Sequence, residues 1–435
     1  MRTGLFYGSL IFLPFLVLAS PADPGNFEQL LTEAHVALTK SDLVAARASL
    51  DEACPARPVP ATSPRSALCE TEAGAIDEAA GQTQNAEAHY RRAIPMWEQL
   101  GPDFSTFYAT ALMDLGNLYQ ARHRPHEAEA ALTRALAHAG EHDPVRAVIA
   151  TRLGSFYSES STPERGRPLL NEAIAMLRAR AASKPAEMAR ACNALGMIDV
   201  RAGTYKTGET NLREAVSIAE HSLGESHPDT ALYEGNLALA LYLEGEYARA
   251  EVLLRRARHI IETSLPPESP RLGNVLASLT VVETAQGEFI RAETDGKQSL
   301  AILTRLREPD SPEIAVQQVT LGALYLKEKK IDDAAALLPG AVAVERLLSD
   351  DSRLPDRRVL ADGIRRLGEL KALQRDWTGA RTLYAEAVSI YESTLGPAHP
   401  AIAPVLLEYA GVLKHCNTPG AQVKDIEARA RAMKL

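Results

Sequence analysis

The stretch "LGESHPDTALYEGNLALALYLEGEYARAEVLLRRA", Leu223 to Ala257, holds two helical patterns separated by a glycine-aromatic turn, and most of it recurs elsewhere in the chain. Its opening connector returns as "LGPAHPAIA" at Leu395, 172 residues on. Its second half carries Ala250 and Ala257 seven residues apart, with Leu254 between them. The first of these small residues belongs to a column running through Ala46, Ala86, Ala128, Gly166, Gly208, Ala250, Ala292, Ala334 and Ala380, whose members lie 38 to 46 residues apart and most often 42. Seven residues after each stands a second small residue, Ala53, Ala93, Ala135, Ala173, Ala215, Ala257, Ser299, Ala341 and Ala387. A bulky side chain such as Leu50, Tyr90, Leu132, Leu170, Leu212, Leu338 or Tyr384 falls between most of the pairs. Steps of four and then three put all three positions on one face of a helix. The small residues let a neighbouring helix approach, and the large one fills the gap they leave.

Upstream of each trio lies a first helix with its own phrase: "LGNLY" at Leu115, "LGSFY" at Leu153, "LGALY" at Leu321, and weaker forms at Leu195 and Leu367. Turns such as "GTY" at Gly203, "GEY" at Gly245 and "GEF" at Gly287 follow, where glycine supplies the positive φ that ends a helix. Each repeat is therefore expected to be an antiparallel helical hairpin. The expected fold is all-α, a right-handed superhelical solenoid of about nine hairpins of about 42 residues with a C-terminal capping helix. Gly166 and Gly208 stand where alanine is usual, a cost of about 1 kcal/mol each in helix propensity. Gly296 with Ser299 makes the unit after Gly287 the poorest match, and flexibility is expected there.

With these phrases the chain resembles the tetratricopeptide repeat family, in the long form found in kinesin light chain and its bacterial relatives. The resemblance rests on the "LG..Y" phrase, the glycine-aromatic turn, the two small residues seven apart and the "LGESHPDTA" connector, and it spans nearly the whole chain. It implies a concave groove, lined by the first helix of each hairpin, that holds an extended or helical segment of another protein. It also implies that paired asparagines on that helix hydrogen-bond the guest backbone. Asn236 matches the second asparagine of the pair, with Gly235 in place of the first, and Asn193 matches the first, with Ala194 in place of the second. Asn117 lies on the same expected face. The alternative is that these asparagines only satisfy local helix ends.

The 435 residues are too many for one compact core but suit an array that grows in one dimension. Aromatic residues make up only 5%. At the N-terminus, Arg2 and an apolar stretch from Leu5 to Leu18 precede "VLASPADP", which reads as a signal peptide cut after about residue 19. About 14 residues interrupted by Pro14 fall short of the roughly 20 that span a bilayer. The expected organisation is a signal peptide over 1–19, a first hairpin over 20–54, a proline-rich connector over 55–67 and the solenoid with its cap over 68–435. The protein is expected to be exported, to a periplasm or out of the cell, with no membrane insertion after cleavage. With 47 basic and 56 acidic residues the net charge is −9, and no block of basic residues exists to meet nucleic acid or anionic lipid. The densest basic patch, "RRARH" at Arg255 to His259, is expected to be a solvated face.

Cys54 and Cys69 are 15 residues apart and could close the proline-rich loop as a disulfide or remain thiols. Cys192 and Cys416 are expected to remain thiols. Ser226, His227 and Asp229 invite comparison with a hydrolytic site, which needs a nucleophile held against a base. The copy at Leu395 keeps His399 but has alanine for both the serine and the aspartate, so the cluster is read as punctuation between hairpins. His138 and His142 could at most form a weak surface metal site, and no phosphate-binding, dinucleotide or HExxH motif is present. No cofactor and no catalysis are expected. The leading expectation is an adaptor or assembly factor that binds a protein or peptide; the alternatives are a self-associating scaffold and, remotely, a hydrolytic enzyme.

Overall fold

Prolines open most of the first helices, and Ser63, His227, Ser269 and Ser311 cap those that start at Pro64, Pro228, Pro270 and Pro312. The computed structural model describes residues 24–54, 62–179, 184–350, 357–416 and 418–433. The expected signal peptide lies outside these residues, as does most of the expected connector. Among the described residues there is no strand, and the helices follow one another in hairpins. These are α1 (Pro24–Thr39) with α2 (Leu43–Ala53), α3 (Pro64–Ala79) with α4 (Thr83–Leu100), α5 (Ser105–Ala121) with α6 (Pro125–His138) and α7 (Pro144–Glu159) with α8 (Gly166–Ala179). Then come α9 (Pro185–Arg201) with α10 (Tyr205–Ser222), α11 (Pro228–Leu243) with α12 (Tyr247–Ser264), α13 (Pro270–Gln286) with α14 (Phe289–Leu306) and α15 (Pro312–Lys327) with α16 (Ile331–Asp350). The series ends with α17 (Arg357–Leu373) and α18 (Trp377–Leu395), followed by the shorter α19 (Ile402–Leu413) and α20 (Gly420–Ala432). The cap is thus a pair of helices rather than one.

The expected connector over 55–67 ends early. The Ser63 hydroxyl accepts the Ser66 amide at 3.1 Å and Pro64 occupies the first turn of α3, so helix begins four residues before position 68. A disulfide joins Cys54 to Cys69, with their Cα atoms 6.0 Å apart, and it ties α2 to α3. Cys192 and Cys416 keep their thiols.

The chain divides into two compact units, residues 1–156 with 168–183 and residues 157–167 with 184–435. Both use the same packing rule. The glycines Gly74 and Gly116 in unit 1, and Gly196, Gly322 and Gly368 in unit 2, each face the bulky residue sixteen positions later: Tyr90, Leu132, Leu212, Leu338 and Tyr384. A Cβ on Gly196 would stand 2.6 Å from Leu212 Cγ, well inside carbon contact distance, so glycine sets how closely the two helices cross. The small columns are fully buried, Ala86, Ala128, Ala250, Ala292, Ala334 and Ala380 among them.

Two departures from the repeat have packing reasons. A Cβ on Gly208 would meet Val200 at 2.9 Å and the Gly196 carbonyl at 3.0 Å, so the propensity lost there permits a close crossing. In the unit after Gly287, Gly296 leaves room for Leu321 and Thr280, and its carbonyl accepts the buried Gln317 amide at 3.0 Å. The Ser299 hydroxyl donates to the Gly273 carbonyl at 2.7 Å. The poorest match to the pattern is therefore a polar-bonded contact, not a gap.

A second regularity joins successive hairpins. In four hairpins the residue after the first small residue is a glutamate that pairs with a base at or near the next turn. In unit 1, Glu87 meets Arg122 and Arg124 at 2.9 and 2.8 Å. In unit 2, Glu209 meets Arg249 at 2.9 Å, Glu251 meets Arg291 at 3.1 Å and Glu293 meets Lys330 at 2.9 Å. The basic run at Arg255 belongs to the same web and is not simply solvated. Arg255 pairs with Glu251 and Glu283, Arg256 with Glu220 and Glu234, and Arg258 with Glu262 and Asp295.

Within each unit the first helices of neighbouring hairpins pack on one another, as α3 does on α5 and as α9, α11, α13, α15 and α17 do in turn, whereas among the described residues successive second helices are joined by long side chains, as in Glu209–Arg249 and Arg258–Asp295. The more closely spaced row of a curved stack is its inner one, so the first helices line the inner face. Among the described residues no helix is long and apolar enough to cross a membrane.

Candidate functional site

Counting from the small residue that packs against the second helix gives each first helix a common register. In α11 that residue is Ala238, and positions six before, one after and five after it hold Leu232, Leu239 and Leu243. These leucines are 45%, 41% and 39% exposed, far from the usual burial of leucine. They fall at i, i+7 and i+11, a single stripe on the inner side of α11. The same register gives exposed Val316 on α15 and Leu373 on α17, and partly exposed Met197 on α9 and Val281 on α13. An apolar surface rimmed by polar groups marks an interaction site more often than a free surface.

Asn193 and Asn236 sit on this surface. The Asn236 side-chain amide donates to Asn193 Oδ1 at 2.8 Å, so α9 and α11 are bridged by a pair of half-buried asparagines beside the leucine stripe. Each amide keeps hydrogen-bonding capacity beyond that one bond. Asn117 belongs to unit 1 and stands one residue past Gly116, the register position that Leu239 holds in α11; the other two precede their small residues by three and two.

The register position of Asn236 is held in unit 1 by Glu72, Asp114 and Arg152, all nearly buried. Burial, with repulsion from Asp114, pushes the Glu72 carboxyl up to about 8. Burial likewise raises Asp114 to about 7 against the pull of Arg152. Glu72 Oε2 and Asp114 Oδ1 have no hydrogen-bond partner among the described residues. Unit 1 thus carries buried titratable groups where α11 of unit 2 carries an amide. Counting from the glycine of the "LG" phrase would have exposed this column in the sequence; matching asparagines did not.

The Ser226, His227 and Asp229 cluster lies at the start of α11. His227 Nδ1 accepts the Asp229 amide at 3.1 Å and so caps the helix, and the Asp229 carboxylate pairs with Arg271 of α13 at 3.1 Å. Ser226 is exposed and no hydrogen bond joins it to His227 among the described residues. The three are structural groups at a helix entrance, with no base held against a nucleophile. His138 packs edge-on to Tyr108, with ring centres 4.8 Å apart. No group of three or more His, Cys, Asp or Glu among the described residues could hold a metal.

Fold and site together define a helical-repeat protein with a partly apolar inner groove. Profiles described as Tetratricopeptide repeat match residues 65–141, 187–262 and 360–401, and over these segments the chain carries tetratricopeptide repeats. No curated protein sequence matches it. Among solved structures it is similar to a Rap protein complexed with Competence and Sporulation Factor, at 12% identity and TM-score 0.60, over 85% of this chain and 98% of that one. It is also similar to the apo form of RapI, at 14% identity and TM-score 0.58 over 84% and 97%. The apo form of the quorum sensor NprR from B. thuringiensis is a third, at 12% identity and TM-score 0.61 over 84% and 97%. Identities this low establish a shared fold.

Proposed function

We propose that the protein is an exported, non-catalytic adaptor or assembly factor that holds a protein or peptide segment in the inner groove of unit 2. The observation that carries this is the exposed stripe of Leu232, Leu239 and Leu243 beside the Asn193–Asn236 pair. The leucines supply apolar area, and the amides supply donors and acceptors for the backbone of an extended guest. The Rap complex with Competence and Sporulation Factor supports the reading to the extent that the same fold is found with a bound factor. Export is supported by the N-terminal apolar stretch and by the Cys54–Cys69 disulfide, a bond favoured in oxidising compartments.

Affinity capture with the mature chain, followed by calorimetry with the captured partner, tests this. Replacing Leu239 by Arg puts a charge in the stripe and is expected to weaken binding at least tenfold. Changing Asn193 and Asn236 together, and Asn117 alone, separates the two asparagines of unit 2 from the one in unit 1. Unchanged affinity in the Leu239→Arg variant refutes the groove.

A second reading, a self-associating scaffold, draws on Val252 and Ile290, which are 68% and 85% exposed on the second helices α12 and α14. Light scattering decides it: a strict monomer at high concentration removes it.

A further inference from the structure

The two ends of the unit 2 stack meet. His399, in the connector between α18 and α19, is 9% exposed, and its Nε2 lies 3.0 Å from the carbonyl oxygen of Arg201 at the end of α9, 198 residues earlier. Its Nδ1 accepts the Ala401 amide at 3.2 Å. An accepting Nδ1 carries no proton, so Nε2 holds the hydrogen and donates it to Arg201. The neutral ring uses both nitrogens. His227, at the same place in its own connector, makes the equivalent Nδ1 bond but has no partner for Nε2 among the described residues. Capping therefore does not require the reach to Arg201, which is an added contact.

The backbone around it is fitted to the same meeting. Gly203 has φ +80°, and a Cβ there would stand 2.7 Å from Pro400 Cγ and 3.1 Å from His399 Nε2. Further along, Tyr205 of α10 lies within electrostatic range of Arg358, and Tyr242 of α11 within range of Asp362, Arg365 and Arg366. All four of these charged residues are on α17. Charges of α17 thus act on the start of α10 and the C-terminal end of α11.

We propose that the His399–Arg201 contact is a latch that closes the inner groove of unit 2, and that protonation of His399 releases it and regulates admission of the partner. The consequence for a partner rests on the function proposed above; the latch itself does not. A proton on Nδ1 would face the Ala401 amide, donor against donor, inside a buried contact. The charge acting on the ring is cationic, Arg358 of α17; the Arg201 guanidinium is held by the Ser158 carbonyl at 2.7 Å. On the connector's own side, Arg429 is occupied by the Pro397 carbonyl and by Glu392. Burial and then Arg358 hold the imidazole below its ordinary 6.5, against the opposing effect of the hydrogen bond to Arg201. The sign follows: the closed form is favoured above about 6.5 and loses that advantage as pH falls through the lower value of the latched ring.

The test is the distance between spin labels at Thr204→Cys and Ala398→Cys, both exposed positions, in a chain with Cys416→Ser and no partner present. The parent is compared with His399→Asn at pH 7.5 and 5.0. Asparagine keeps an acceptor for the Ala401 amide but is too short to reach Arg201. The expected result is one short distance for the parent at pH 7.5, a longer population for the parent at pH 5.0, and the longer population for His399→Asn at both. Circular dichroism at each pH verifies that the helices are intact. The same short distance in all four samples overturns the latch. Because no partner is used, this outcome is separate from the binding result with Leu239→Arg.

Discussion

Glu345 is a buried carboxyl without a partner among the described residues of unit 2. It is fully buried on α16, neither carboxylate oxygen has a hydrogen-bond partner among the described residues, and a Cβ on Gly363 would overlap Oε2. Burial first, and Asp362 second, push its carboxyl up to about 8. A carboxyl that binds its proton more tightly in the folded state stabilises the fold fully below the unfolded value near 4.5, and that contribution is lost as pH rises through about 8. Glu345→Gln removes the dependence. It is expected to match the parent in thermal stability at pH 5 and to exceed it at pH 9, by up to roughly 4 kcal/mol if the whole shift is realised. Equal pH profiles for the two proteins would show that the site relaxes to admit water. At this scale the sequence was only partly readable. The sixteen-residue step from Gly196 to Leu212 lies in plain sight, whereas nothing around Glu345 in the sequence distinguishes it from a surface glutamate.

Four helix pairs are joined to the next by a glutamate that follows the small column. Glu209 is the best supplied of these, with Lys206 at 2.8 Å, Arg249 at 2.9 Å and Arg213 beside it. The hydrogen bond from Lys206, opposed by burial and joined by those from Arg213 and Arg249, holds its carboxyl down at about 2. Only Arg249 comes from the next hairpin, so it is the link that staples α10 to α12. Glu209→Gln is predicted to cost about 1–2 kcal/mol at pH 7, where charge-assisted bonds are lost. The difference narrows as pH falls from about 4.5 toward 2, since a depressed carboxyl gives up its contribution there. Urea denaturation at the two pH values measures it. The staple has the period of the repeat and could have been found by comparing charges as well as small residues. The basic run at Arg255 was misread as solvated for the same reason, because its partners lie on neighbouring hairpins.

Over the molecule as a whole, the hairpin series was legible because each repeat states the same packing rule, and a departure such as Gly208 or Ser299 is visible against the others. Contacts that join distant repeats are different. His399 reads in sequence as a second copy of His227, and both do cap a helix, but the bond to Arg201 depends on how far the unit 2 stack turns. The disulfide was open in sequence because spacing alone cannot bring Cys54 and Cys69 to a 6.0 Å Cα separation; the α2–α3 packing does. Of the candidate site, the two asparagines of unit 2 could be named in advance through the family resemblance. The leucine stripe could not be, because leucines at helical spacing ordinarily mean core, and only their exposure reveals an inner surface. The central claim is that this surface receives the partner. It is tested most directly by thiol labelling of Leu239→Cys on the inner face and Val252→Cys on a second helix, each with and without the captured partner. The partner is predicted to slow labelling at position 239 at least tenfold and to leave position 252 unchanged; protection at 252 with none at 239 would contradict the account.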